Sequence, residues 1–163
     1  MARRNKAQGS TPATTALARL DISFVTHAYD HDPAAESYGR EAAEALGVDA
    51  ERIFKTLLAT LDGSLVVGIV PVLRSLDLKS LARAAGGRKA AMADPAGAER
   101  ATGYVVGGIS PIGQRRRLRT LLDESAAQHA AILVSGGRRG FDIELAPDDL
   151  LAATSGMLAS IAR

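Results

Sequence analysis

Two charged residues stand where charge is expensive. Lys55 lies in "FKTLL", an ammonium inside an apolar run, and Asp142 lies in "GFDIEL", a carboxylate just past a tight turn in another. A buried charge without a partner is costly. Each is therefore an ordinary residue, Lys55 on the solvent side of an alternating strand and Asp142 capping its turn, or else one half of a contact with a charged ligand. Two glycine-rich turns carry the remaining candidates. "VGGISPIGQRRR" runs from Gly107 and Gly108 into Arg115, Arg116 and Arg117, with Arg119 close behind, and "GGRRG" holds Arg138 and Arg139. Such arginines read as solvated surface or, if the two turns lie side by side, as a basic rim for phosphates. Glycine beside that rim would let a ligand approach the backbone and reach its N–H donors.

The same residues remove several chemistries. The chain has no cysteine, which excludes disulfides, thiolate metal sites and a cysteine nucleophile. His27 and His31 are four apart, but in a strand running into a loop that spacing gives no shared face, and His129 is distant. No metal site is expected. No serine occupies a "GxSxG" elbow, and Ser110 and Ser135 neighbour glycines without an evident histidine partner. Neither glycine turn fits a P-loop or a dinucleotide fingerprint, so no nucleotide cofactor is expected.

The elements that must position these groups follow from periodicity and punctuation. With 163 residues, 47% hydrophobic and 23% charged, the chain fits one domain over 11–163, preceded by a flexible basic tail over 1–10. A transit peptide is the alternative reading of that acid-poor start. The longest apolar runs are too short to span a bilayer, so the expected setting is soluble and cytoplasmic, with no membrane contact. The net charge of +2 makes the protein mildly basic, and placement matters more than the sum.

"TPATTALARL" reads as a short amphipathic helix, 22–29 as a strand, and 37–46 as a helix stopped by Gly47, with a further turn capped by Asp49. "DG" between "FKTLLATL" and "SLVVGIVPV" marks a hairpin. A helix capped by Ser75 or Asp77, a short strand in "RKAAMA" and a helix opening at Pro95 follow. "YVVGG" and "AILVSGG" read as strands, "FDIELA" pairs back on the latter, and one final helix runs from Pro147 through "LLAATSGMLASIA". Strands arriving partly as hairpins and partly after helices indicate an α+β (mixed α/β) fold, a mixed sheet with helices packed on it.

Taken in order, "KTLL", "DLKSLA", "MADP", "ATGYVVGGISPIGQRRRL" and "VSGGRRGFDIELAPDDL" resemble the YbaK/EbsC family, most closely its Cys-tRNA(Pro) deacylases. The resemblance runs from about Ile22 to the C terminus, and the two long motifs at their fixed separation are highly specific. It implies a curled mixed sheet flanked by helices, similar to the editing domain of bacterial prolyl-tRNA synthetases. It also implies an enzyme that hydrolyses the ester of mischarged Cys-tRNA(Pro) in trans, without cofactor or metal.

Carried over by motif, the site comprises Tyr29, Lys55, Gly107, Gly108, Ser135 and Asp142. Lys55 would hold the phosphate or ribose of the terminal adenosine, and Asp142 the α-ammonium of the amino acid. Gly107 and Gly108 would give amides or clearance at the ester carbonyl. In this branch the substrate's own thiol is thought to attack the ester, which suits a protein with no cysteine and no triad. Arg115, Arg116, Arg138 and Arg139 are the expected contacts to the tRNA acceptor end, with prolyl-tRNA synthetase as a further expected partner. A deacylase for another amino acid, such as alanine on tRNA(Pro), and a non-catalytic acceptor-end binding module are the alternatives.

Overall fold

The computed structural model describes residues 10–35 and 37–163; the tail expected over 1–10 lies outside the described residues apart from Ser10. Five α-helices alternate with eight strands among the described residues. Helix α1 (Pro12–Arg19) is closed by a reciprocal cap between Thr11 and Thr14 and carries Pro at its first turn. Strand β1 (Val25–Ala28) is followed by α2 (Tyr38–Leu46), capped by Ser37 and ended by Gly47 at φ 64°. A 3₁₀ turn (Ala50–Arg52) leads into β2 (Phe54–Leu61) and β3 (Ser64–Pro71), the hairpin that Asp62-Gly63 marks. Then come α3 (Leu78–Ala84), capped by Asp77 rather than Ser75, β4 (Ala90–Met92) and α4 (Pro95–Thr102). Strand β5 (Arg119–Asp123), β6 (Ile132–Arg138), β7 (Phe141–Leu145), α5 (Pro147–Thr154) and β8 (Met157–Ala159) complete the chain.

The strands form two sheets, ordered β1-β7-β6 and β4-β2-β3-β5-β8. The second is mixed, with β2 antiparallel to β3 and β4 while β5 runs parallel to both β3 and β8. A parallel bridge between Ile53 and Leu133 ties the two sheets where β2 begins. Period-two alternation sets the layers. On β3, Val67 and Ile69 enter a core shared with Ile143 and Leu145 of β7, while Val66 and Val70 join the layer under α3. Helix α2 covers a smaller cluster through Ala42, against Ile53 and Leu133.

Four sequence expectations change. The strand expected over 22–29 is only Val25–Ala28. "YVVGG" is not a strand: Gly103 ends α4 in the left-handed region, the buried Tyr104 hydroxyl donates to Ile112 O at 2.7 Å, and Gly108 N donates to Val105 O at 2.9 Å to close a turn. The last helix stops at Thr154, because Ser155 turns left-handed at φ 54° and Met157–Ala159 is captured as a parallel edge strand beside β5. Strand β5, from "RTLLD", is an addition to the expected elements and lies between β3 and β8 in the mixed sheet. Sheet pairing here overrides a helical pattern of apolar residues.

The segment after β8 is bonded to the backbone of Ser75 and Asp77 and to one carboxylate. Asp123, 2% exposed, accepts from the Ile161 and Ala162 amides at 3.1 and 3.0 Å and from the Ser125 hydroxyl at 2.5 Å. Burial pushes its pKa up, but these hydrogen bonds outweigh it and leave the group below the ordinary carboxylate range. Asp123→Ala should therefore cost about 2–4 kcal/mol in urea unfolding, since it leaves buried amides without an acceptor. A loss under about 0.5 kcal/mol would show that the clamp is not structural.

Candidate functional site

The pairing of β2 explains why a site can exist. Strand β4 covers only Ala59–Leu61 of β2, and β6 meets the strand only at the Ile53 bridge. The stretch between, residues 54–57, is an open edge, since Leu58 O already accepts from Ala93 N at 3.0 Å, and a cavity of about 400 Å³ lies along it. At an open edge both faces of the strand contribute, so Phe54, Lys55, Thr56 and Leu57 all line the same space. This is why alternation alone could not place Lys55. It is half-buried in the cavity wall, and burial lowers its pKa. None of the described ion pairs includes it.

The opposite wall is the β6–β7 hairpin. Asp142 lies in a row with His27 of β1 and Ser135 of β6, its Cα partners on either side. Two residues on, Glu144 shares that face, and the two carboxylates have opposite circumstances. Glu144 is paired with His27 Nε2 at 2.8 Å and with the Arg52 guanidinium, and the His27 hydrogen bond first, then Arg52, hold its pKa below the ordinary value. Asp142 is 8% exposed, lines the cavity, and accepts no hydrogen bond from any described residue. Burial pushes its pKa up to about 7. Tyr29, which also lines the cavity, is held protonated by burial, by Asp142 and by Glu41.

The glycines make the walls meet. A Cβ on Gly108 would lie 2.7 Å from Arg138 Cα, so the 105–108 turn packs directly on the hairpin backbone. Gly107, at φ 90°, would place a Cβ 2.7 Å from Arg139 Nε and 2.9 Å from the Tyr38 ring. The clearance at both glycines serves contacts within the protein. The Gly108 amide is spent on its own turn, whereas the Gly107 amide, on the cavity wall, has no protein acceptor among the described residues.

Of the sequence candidates, Tyr29, Lys55, Gly107, Ser135, Asp142 and Arg138 line this cavity. Gly108 supports it from behind. Arg139 stands at the mouth, its Nε and Nη2 donating to Val106 O at 3.1 and 2.7 Å. Arg115 and Arg116 are elsewhere: their amides bond to Thr102 and Ala101 at the end of α4, their side chains are exposed, and neither lines the cavity. The two basic turns therefore do not merge into one rim at the cavity. Sequence reasoning missed Tyr38 and Thr56, both in the lining; the Thr56 hydroxyl is buried without a partner among the described residues. The signal for Tyr38 was the scarcity of aromatics, and for Thr56 its place beside Lys55.

Chemically, the cavity offers a buried anion, a half-buried cation and a free amide. No histidine lines it, and Ser135 Oγ accepts from Gly137 N at 3.3 Å. The described lining thus has no serine–histidine pair, and the arrangement can orient and polarise a ligand with charge at both ends.

The cost of the unpaired carboxylate is measurable. Between about pH 4 and pH 7 the native Asp142 retains a proton that the unfolded chain has released, so its contribution to stability falls as pH rises through that window. Asp142→Asn should unfold later than the parent at pH 8, by about 4 kcal/mol, and equally at pH 4. A variant less stable than the parent at both pH values would mean that the carboxylate has a protein partner.

Comparison with known proteins agrees with the geometry. The chain is 46% identical over 120 residues, 73% of each chain, to an Enterococcus faecalis protein named "Putative Cys-tRNA(Pro)/Cys-tRNA(Cys) deacylase EbsC". It is 32% identical over 110 residues, 68% of this chain and 70% of the other, to the uncharacterised protein YwhH of Bacillus subtilis. A solved structure described as "a putative trans-editing enzyme for prolyl tRNA synthetase" superposes with a TM-score of 0.78 at 26% identity, covering 94% of this chain and 98% of that one. The hypothetical protein APE2540 shares the fold, with a TM-score of 0.84 at 21% identity, covering 94% of this chain and 100% of that one. Residues 31–153 match the aminoacyl-tRNA editing domain, and the chain belongs to that family.

Proposed function

We propose that this protein is a cytoplasmic trans-editing deacylase that cleaves the ester of Cys-tRNA(Pro). The observation that carries the reading is the unpaired Asp142 facing the same cavity as the unpaired Lys55. An aminoacylated tRNA end supplies both missing partners: an α-ammonium for the carboxylate, and phosphate or ribose oxygens for the lysine. Arg138 and Arg139 at the mouth suit the adjoining backbone, and Arg115 and Arg116 suit a more distant stretch of the acceptor end. With so small a contact area, selection of tRNA(Pro) comes through association with prolyl-tRNA synthetase.

The absence of a serine–histidine pair in the lining supports substrate-assisted cleavage. The cysteine sulfur forms a bond to its own carbonyl carbon as the bond to the ribose oxygen breaks, and the thiol proton ends on that oxygen. The resulting thiolactone is then opened by water. The protein's part is to fix the ammonium on Asp142, hold the nucleotide with Lys55, and offer the Gly107 amide to the developing oxyanion.

A second reading is favoured by the apolar end of the cavity. Ala93 and Ala98 bring only methyl groups to the wall, which do not distinguish a thiol from another small side chain, so alanine is the alternative substrate. A panel of mischarged tRNA(Pro) species tests these readings. Cysteine should be released at least about 100-fold faster than serine, whose hydroxyl is the poorer nucleophile. Lys55→Ala should lower turnover roughly 30-fold or more, as truncating a buried charged contact costs about 2–5 kcal/mol. Equal rates on cysteine and serine would refute thiol assistance, preferential release of alanine would select the alternative, and binding without release of any amino acid would refute an enzyme.

A further inference from the structure

The mouth of the cavity carries a surface the ester chemistry does not need. The chain has three tyrosines, three phenylalanines and no tryptophan. Among the described residues Tyr38 is the one aromatic left exposed, at 38%, and it lies at the start of α2 on the cavity wall. Met92 and Val106, also exposed, line the same opening. Single exposed apolar residues need no explanation, but three converging on one cavity mouth mark a ligand contact.

Tyr38 is also held in place. His31 packs against it with ring centroids 5.4 Å apart, and His31 Nδ1 is anchored to Glu41 Oε1 at 2.8 Å, a carboxylate that also accepts from the Asp32 amide at 2.7 Å. The Arg139 guanidinium stands 5.3 Å from the ring centroid, fixed by its two bonds to Val106 O, and its Nη1 has no acceptor among the described residues. A fixed, partly exposed ring with a guanidinium over it offers a flat heterocycle a π-contact and its attached phosphate a cation.

We propose that Tyr38 is the platform for the nucleobase of the substrate's terminal nucleotide, with Arg139 on the phosphate attached to it. The inference rests on the proposed deacylation and assigns the order of the substrate in the site. The base lies outside on Tyr38, the ribose passes Lys55, and the amino acid lies inside against Asp142. Tyr38 then contributes to capture and leaves the bond-breaking step unchanged, so its loss appears in KM rather than kcat.

Adenosine 5′-monophosphate and ribose 5-phosphate, titrated calorimetrically against the parent, Tyr38→Phe and Tyr38→Leu, test the platform without any turnover. Binding of the nucleotide should weaken roughly 5- to 150-fold in Tyr38→Leu and stay near the parent in Tyr38→Phe, while ribose 5-phosphate is indifferent to both. In deacylation, Tyr38→Leu should raise KM for cysteinyl-adenosine and leave cysteine ethyl ester unaffected. Equal losses on both esters, or nucleotide binding insensitive to Tyr38→Leu, would overturn the inference. Nucleotide binding that depends on Tyr38 in a protein that cleaves neither ester would keep the platform and refute the deacylase reading instead.

Discussion

A single carboxylate, buried on a sheet and given no cation, sets the terms for the rest of this molecule. Burying Asp142 costs stability at neutral pH, and no partner among the described residues offsets that cost. Its neighbour Glu144, two residues along the same face, shows that the fold can supply partners, for it holds both His27 and Arg52. The difference between the two lies in what each faces. Glu144 sits over the 3₁₀ turn that delivers Arg52, whereas Asp142 faces the gap where β2 has no neighbouring strand. A gap in strand pairing and a missing counter-ion coincide, which is how a site for a cationic ligand is expected to look.

The packing around that gap depends on close backbone contact more than on side-chain interlock. Gly107 and Gly108 let the 105–108 turn rest on Tyr38 and on the hairpin backbone, and Gly140 lets the same hairpin approach the Tyr29 carbonyl, where a Cβ would stand at 2.5 Å. Arg139 then ties the turn to the hairpin from outside. The walls of the cavity are thereby drawn from segments far apart in sequence, each fixed to the next by backbone contact.

Much of this was legible in the sequence, and the failures have physical causes. Caps and turn residues placed the helices and the β2–β3 and β6–β7 hairpins, because Asp-Gly, Gly47 and Pro95 act through local backbone geometry. Strands β5 and β8 escaped because their pairing is parallel and long-range, and "GMLASIA" has no local feature that separates an edge strand from a helix end. "YVVGG" has a strand's composition but is held as a turn by the Tyr104 hydroxyl and by glycines, which only tertiary contacts reveal. At the site, Lys55 and Asp142 were visible as charges in apolar runs, while the open edge of β2 was not, since it depends on where β4 stops. The arginines show the limit of composition: two of the four stand at the cavity and two at the far end of α4.

The proposed chemistry requires Asp142 to be an unpaired, cavity-facing carboxylate that a substrate ammonium completes. Carbon-13 carboxyl titration of Asp142 by NMR, with and without the cysteinyl amide of 3′-amino-3′-deoxyadenosine, measures this directly. The free carboxyl should titrate at about pH 7, and the bound ligand should lower that midpoint by at least about one unit as its ammonium favours the ionised form. A midpoint in the ordinary carboxylate range, or one that the ligand leaves unmoved, would contradict it.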